Sequence, residues 1–491
     1  MKKLVLLLVP LALFAQVEID TVIRLPGHAK DGCFIPELNE LCVRYEYWDS
    51  PLVYDSSAFF MLNGSTYQLR ARIPVPLQGD ADYAWNWRRQ KLYVVSKSHP
   101  ESTLVLDTAG DSILRWLTVT PEFKTLTYVS DVDRIYKPAN ETLFVFDCAA
   151  DTIVDRVLPT SPGYGSAFAT WDSVGRKLYL GMCWLGYPPL MGVYDYVADS
   201  FTKVIDVSAI DAWQPDAMVI NYRGRRGCIA DHQVEPLRIT DVGILDLDSD
   251  SLLCTVPAGI NNGMLRQVAS DERDGKIYIA GCHIDGGHPD TLFVYDCATD
   301  SVVKKLEYAR TGSGALATCW VPWSNRLYIS YCNGRNDTSL VVIDCNTDSI
   351  VTRLALGSRW SRSIELDPVH QRIFVIGADS GTIHVLRDVG YGIAETPADG
   401  QRPQSTLQAR PTQGGYEVKY SVASPCRIDL SVYDLMGREV RQLVAEVQSA
   451  GQHSVVWNRS DHSGAVVARG VYFIRLDSPG FSSVKKAVVT R

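Results

Sequence analysis

Apolar and polar positions alternate in short bursts along the chain, and the bursts come in pairs. Thr291 to Val303 reads TLFVYDCATDSVV, Thr142 to Val154 reads TLFVFDCAADTIV and Ser339 to Val351 reads SLVVIDCNTDSIV. Looser copies start at Thr103, Met191 and Val242. Each copy is a run of β-branched and aromatic residues, a polar break, then a second such run, which predicts a β-hairpin. In the break the first Asp accepts hydrogen bonds from backbone N–H groups just ahead of it, and small polar residues let the chain reverse. A second element recurs between the hairpins, a basic residue followed by a short β run. It reads KLYVV from Lys91, RIYKP from Arg134, KLYLG from Lys177, RGCIA from Arg226, KIYIA from Lys276, RLYIS from Arg326 and RIFVI from Arg372. ELCVR from Glu40 is a weaker first copy. A turn precedes each copy and another β run precedes the turn. The unit is four strands: A, turn, B, loop, C, turn, D.

The residue closing strand C marks the period. These residues are Asn63, Asp107, Asp147, Asp195, Asp246, Asp296, Asp344 and Arg387, at intervals of 44, 40, 48, 51, 50, 48 and 43. Four strands repeating every roughly 40 to 50 residues predict the blades of an all-β propeller. Eight blades are counted; the first and last fit least well, which leaves seven open. The last unit lacks strand D. Asp20 to Leu25 reads DTVIRL and matches DSIVTRL from Asp348, so a strand from the N-terminus is expected to complete the final blade and shut the ring. Closure removes the open edges that invite aggregation.

The repeats resemble the YVTN-type seven-bladed propeller repeat over about Glu18 to Val389. That resemblance implies the fold and no particular activity, because the family holds enzymes, binding proteins and others. Gly390 to Gln404 is Gly/Pro-rich and aperiodic, and reads as a linker. Beyond it, YEVKYSV, CRIDLSVYDLMGREVRQLV, GQHSVVWNRS, GVYFIRL and KKAVVTR alternate like the strands of a small immunoglobulin-like sandwich. LSVYDLMGREVRQLV, Gly451 to His453, ARGVYFIRL and the final KKAVVTR look like the C-terminal sorting domain (type A) of type IX secretion cargo. The same stretch is similar to the immunoglobulin-like domain of flagellar hook-capping proteins, echoed by WNRSDHSGAVVARGVYF. Arg410-Pro411 stands where the sorting domain usually carries Asn-Pro. The resemblance implies export, passage through an outer-membrane translocon that reads 405–491, and cleavage of this domain.

Composition adds a cellular address. The N-terminus MKKLVLLLVPLALFAQ has a basic start, a short apolar run and Ala15 as a cleavage point, the pattern of a secretory signal peptide. The expected division is 1–15 signal peptide, 16–389 propeller, 390–404 linker and 405–491 sorting domain. The product is expected outside the cell or on its outer surface. No stretch reads as a transmembrane helix. A net charge of −8 without a Lys/Arg block gives no footprint for nucleic acid. Of 12 Cys, Cys33 and Cys42 flank a tight hairpin and can sit opposite each other, bridged or not. Cys148, Cys297 and Cys345 share one repeat position and Cys183, Cys282 and Cys332 another, which reads as small buried thiols rather than a disulfide framework.

Candidate chemistry follows from register. The loops between B and C vary in length while the C-to-D turns hardly do, so the face carrying the former is the expected working face. Trp48, Trp184, Tyr187, Trp213, Tyr331 and Trp360 are expected there, where aromatic planes suit sugars or peptide anchors. At the position 11 residues before the Leu or Ile of the KLY motif the eight units carry Lys30, Ala81, Lys124, Ala167, Asp216, Arg266, Leu316 and Arg362. Four cations and one anion at one level of the inner strands suit a carboxylate or acidic sugar; equally they suit rim charges paired with neighbours such as Asp31 and Asp82. The loop CHIDGGHPD offers His283, Asp285 and His288 as metal ligands, though a Gly-rich turn explains it as well. No cofactor is predicted. No G-x-S-x-G, H-E-x-x-H, P-loop or dinucleotide pattern occurs, and no catalytic residue is assigned. The expected function is an exported binding module for an extracellular glycan, peptide or small anion. The alternative is an extracellular hydrolase, lactonase or lyase working in the central channel.

Overall fold

The computed structural model describes residues 17–25, 28–50, 53–75, 77, 81–96, 102–108, 111–118, 125–139, 142–158, 165–183, 188–210, 215–231, 240–260, 268–281, 289–309, 315–332, 338–357, 361–368, 370–377, 381–388, 406–412, 414–422, 426–433, 439–448, 451–461, 465–478 and 481–489. The signal-peptide and linker segments lie outside them.

Among the described residues, eight four-stranded antiparallel sheets lie between 17 and 388. Their inner strands A are His28–Ile35, Ala81–Asn86, Thr127–Val129, Gly165–Asp172, Pro215–Asn221, Val268–Asp271, Ala315–Val321 and Ser361–Asp367, which number blades 1 to 8. Each inner strand touches the next, and that of blade 8 touches that of blade 1, so the sheets form a closed ring. The eight-blade count holds. In blade 8 the fourth strand is Val17–Arg24, paired antiparallel with Thr382–Asp388 from Val17 opposite Asp388 to Arg24 opposite Thr382. The expected closing strand is there and starts three residues before the matched DTVIRL. The core of the ring lies between sheets: every seam has a cluster joining the facing sides of two adjacent blades, as Tyr93, Phe144 and Phe146 do between blades 2 and 3.

The recurring motifs are the joints of this ring. The first Asp of the C-to-D turn caps it as expected: Asp147 Oδ1 accepts from the N–H of Ala149 at 2.8 Å and Ala150 at 2.9 Å, Asp195 and Asp246 do the same, and Asp344 takes the Asn346 N–H at 2.9 Å and the Thr347 hydroxyl at 3.1 Å. The second Asp of the turn takes a left-handed conformation, with φ of 49° at Asp151, 51° at Asp250, 50° at Asp300 and 48° at Asp348, which short polar side chains tolerate. It is then gripped by the preceding blade. Lys177 reaches Asp250 at 2.6 Å, Arg226 holds Asp300 through two bonds of 2.7 and 2.8 Å, and Lys276 reaches Asp348 at 2.7 Å; Lys91 pairs with Asp151 likewise. The tyrosine of the KLY motif adds a second bond, Tyr93 to Asp151 at 2.8 Å and Tyr278 to Asp348 at 2.6 Å. Burial, then the neighbouring cysteine and the carboxylate, push these phenols up and keep them protonated as donors.

Two seams keep an ion pair but depart from the rule. Blade 1 has Glu40 where the others have a cation. Arg70, on its outermost strand, holds Glu40 and also reaches Asp111 of blade 2 at 2.7 Å. Blade 8 has no C-to-D turn, because its strand D comes from the other end of the chain. Asp388 takes the turn aspartate's place and accepts from Arg326, from Tyr328 at 2.6 Å and from Ser324 at 2.7 Å.

Outer strands are open edges, and each carries a bulge at one register. The bulge residues are Arg70, Leu114, Val154, Thr202, Leu253, Val303, Val351 and Asp20. A bulge twists an edge away from intermolecular pairing. It also turns the extra residue outward, which places Leu114, Val154, Leu253 and Val303 among the exposed apolar side chains.

Residues 406–489 form a sandwich. A three-stranded sheet of Thr406–Thr412, Gly415–Val422 and Gly451–Trp457 faces a four-stranded sheet of Glu439–Gln448, Cys426–Tyr433, Gly470–Ser478 and Phe481–Val489. Trp457, Val418, Leu430 and Ile474 fill the space between them, and the Trp457 indole N–H bonds the Ser460 carbonyl at 3.0 Å. Among the described residues no helix is long and apolar enough to cross a membrane.

Candidate functional site at the inner-strand bulges

The position found by counting back from the KLY motif is a structural singularity. In blade 1, Ala29 pairs with Tyr45 and Asp31 with Arg44, leaving Lys30 unpaired as a bulge. The same shift leaves Ala167 unpaired in blade 4, Asp216 in blade 5, Leu316 in blade 7 and Arg362 in blade 8. Bulges re-aim side chains and recur beside binding sites. Blade 2 departs: Ala81 pairs regularly with Ser96. The side chains of Asp216 and Arg362 lie outside the described set. So do Lys124, Arg266, Trp184 and Trp360 altogether, and His283, Asp285 and His288 of the expected metal loop. Among the described residues no group of three or more His, Cys, Asp or Glu could hold a metal ion.

Lys30 is the ring cation whose surroundings are defined. Its ammonium lies 3.5 Å from Glu46, and beneath it is a buried charge cluster. Arg44, fully buried, donates to Asp31 through Nε at 3.0 Å and Nη2 at 2.7 Å, and to Glu46 at 2.6 Å. Tyr83 of blade 2 also donates to Asp31. Burial works against the Arg44 charge, but Asp31 and Glu46 outweigh it and push the guanidinium well up. Burial and the Asp31 carboxylate push the Tyr83 phenol well up too, so it stays a donor. Two cations meet two carboxylates, so the cluster is compensated inside the fold. Lys30 therefore sits on a fixed base and carries a partner, as rim charges do.

Asp82 accepts the Leu126 N–H at 2.7 Å. Tyr331, expected among the exposed aromatics, is buried and meets Tyr308 edge-on at 6.1 Å between ring centres. It lies on strand B opposite Ala315, where the neighbouring blade covers it. Arg44 and Glu46 were not singled out from the chain, yet a signal exists. They stand two apart on a strand whose counterparts in other blades carry Val95, Gly181, Ala280 or Ile376.

Cys33 and Cys42 face each other in register and are both free thiols in this structure. A hydrogen bond to Cys42, then burial, pushes the Cys33 thiol well up. Cys148, Cys297 and Cys345 are buried, as read from their shared position; burial pushes Cys148 and Cys297 to about 12.

Comparison with known proteins adds two findings. The family model for the FlgD Ig-like domain matches residues 406–479. Among solved structures, the chain is similar to hydrazine synthase of Kuenenia stuttgartiensis at 12% identity and a TM-score of 0.48, over 75% of this chain and 98% of that one. No curated protein matches.

Proposed function

We propose that the chain is an exported binding protein whose propeller takes an acidic extracellular ligand, a glycan, peptide or small anion, at the inner-strand bulges beneath the variable loops. The observation that carries this reading is the bulge register, which puts Lys30, Asp216 and Arg362 at one level of the ring. Lys30 is held against a buried base of one cation and two carboxylates, so it loses little freedom on meeting a ligand carboxylate, which favours binding. Lys124 and Arg266 extend the same level by sequence. Replacing both with Ala tests the reading on an acidic glycan array. Loss of at least tenfold in signal is expected; an unchanged array profile would sink it.

The C-terminal sandwich supports the second half of the proposal. Its match to an Ig-like family, with the leader at the other end, fits cargo passed to an outer-membrane translocon and released at or beyond the cell surface. Residues 405–491 fused behind a leader and a fluorescent protein should reach the medium or surface of a bacterium with a type IX system. Retention in the periplasm would remove this part.

A further inference from the structure

On the face opposite the variable loops, the seam between blades 8 and 1 carries a Ser–His–Asp arrangement. Asp367 ends the inner strand of blade 8, His370 lies in the turn after it, and Ser65 lies in the C-to-D turn of blade 1, 305 residues away from His370. His370 Nδ1 is 2.6 Å from Asp367 Oδ2, and His370 Nε2 is 3.2 Å from Ser65 Oγ. The Asp367 carboxylate is buried and its other oxygen accepts the His370 N–H at 3.0 Å, which locks the turn. Arg372 holds the His370 carbonyl at 3.3 Å. Ser65 is exposed and the imidazole is part-exposed, so a substrate can reach both.

The hydrogen bonds fix the proton positions. With Nδ1–H donating to the carboxylate, Nε2 is an acceptor. Asn39 Nδ2 donates to Ser65 Oγ at 2.9 Å, so the hydroxyl proton is left to point at Nε2. Gly64 permits this approach: a Cβ there would fall 2.5 Å from Asn39 Oδ1 and 2.9 Å from the Phe34 ring. At four other seams the blades join through an Asp in the turn, whereas here Tyr67 occupies that place and packs edge-on against Phe374 at 6.2 Å. The seam has lost the usual latch and gained a nucleophile, a base and a residue that orients the base.

We infer that Ser65 and His370 form an esterolytic site for small activated esters, with Asp367 as the positioning residue. Ser65 Oγ bonds to the ester carbonyl carbon as its proton passes to His370 Nε2. The carbon–alkoxy bond breaks, and Nε2 returns the proton to the departing alkoxide. Water then attacks the acyl-serine by the same route, so one ester and one water give one acid and one alcohol. The N–H groups of Ser65 and Thr66 are engaged by Asn63 Oδ1 at 3.0 and 2.8 Å. Asn39 Nδ2, which donates to Ser65 Oγ and carries a second N–H, is the amide beside the nucleophile that can turn to the developing oxyanion. One donor restricts the site to good leaving groups.

The test uses the full chain with p-nitrophenyl acetate as substrate and diisopropyl fluorophosphate as label. Wild type should hydrolyse the ester and gain one phosphoryl adduct on Ser65 by mass spectrometry. Ser65→Ala and His370→Gln should each lower hydrolysis at least tenfold, and His370→Gln should abolish the adduct while the melting temperature stays unchanged. Asp367→Asn should lower kcat without raising KM, which turn damage alone would not do. An unlabelled Ser65 in wild type, or equal labelling with His370→Gln, overturns the inference.

Discussion

Burial without a full set of partners governs Asp271, at the inner end of blade 6. Its Oδ1 accepts the N–H groups of Arg273 and Asp274 at 2.8 and 3.0 Å, while its Oδ2 has no hydrogen bond and no contact with water. Desolvation pushes the carboxyl up to about 6. A raised carboxyl contributes stability below its unfolded value and loses it as pH rises through the folded one. Asp271 thus favours the fold in acid and works against it above about pH 6. Blades 2 and 5 carry Asn86 and Asn221 at this place, and each sends its amide into the next blade, Asn86 to Asp133 at 2.8 Å. Asp271→Asn should therefore raise the melting temperature at pH 7.5, by up to about 3 kcal/mol of stability for two pKa units, and the gain should shrink at pH 4. Melts at both pH values check this, and a lower temperature at pH 7.5 would contradict it. Residues of this sort were half legible. The turn aspartates could be read because their spacing repeats. Arg44 and Glu46 could not, because nothing local says which buried strand tolerates charge.

Between blades, the KLY motif works as a latch whose value depends on burial. Arg326 and Asp388 are both sealed from solvent, so removing one takes from the other its buried counter-charge. Asp388→Ala should cost about 3 to 5 kcal/mol. Arg326→Met with Asp388→Leu should cost clearly less than the two single changes together, because the stranded charge is gone. Glu18 and Arg387, in the same blade, are about half exposed, and breaking that pair should move the melting temperature little. Additivity of the buried pair would count against the latch. The motif's spacing was plain in the chain, and so was the level of the bulges in blades 1, 4, 5, 7 and 8, because the A-to-B turn keeps one length there and counting back lands on the unpaired residue. What the latch grips was not plain, since Lys177 and Asp250 are 73 residues apart and meet only once neighbouring blades stack.

At the scale of the molecule, ring closure decides what can exist. Val17–Arg24 covers the edge of Thr382–Asp388, and Ile23 joins the apolar cluster between blades 8 and 1. Deleting 17–24 should expose that edge, broaden the melt and produce concentration-dependent association on size-exclusion chromatography. A synthetic VEIDTVIR peptide added in trans should restore the monomer; failure to do so would mean that the strand contributes less than the topology implies. The match between DTVIRL and DSIVTRL made this closure readable. Ser65 and His370 were beyond reach for the opposite reason: no period relates them, and their meeting is a by-product of closure.

Glu18 and Arg387 touch although they stand 369 positions apart in the chain. Whatever thread delivers this protein, its first strand must wait unpaired while every other wedge is laid down. The final joint is therefore the last to form, and until the tail of the wheel arrives the leading segment stays open to wrong company.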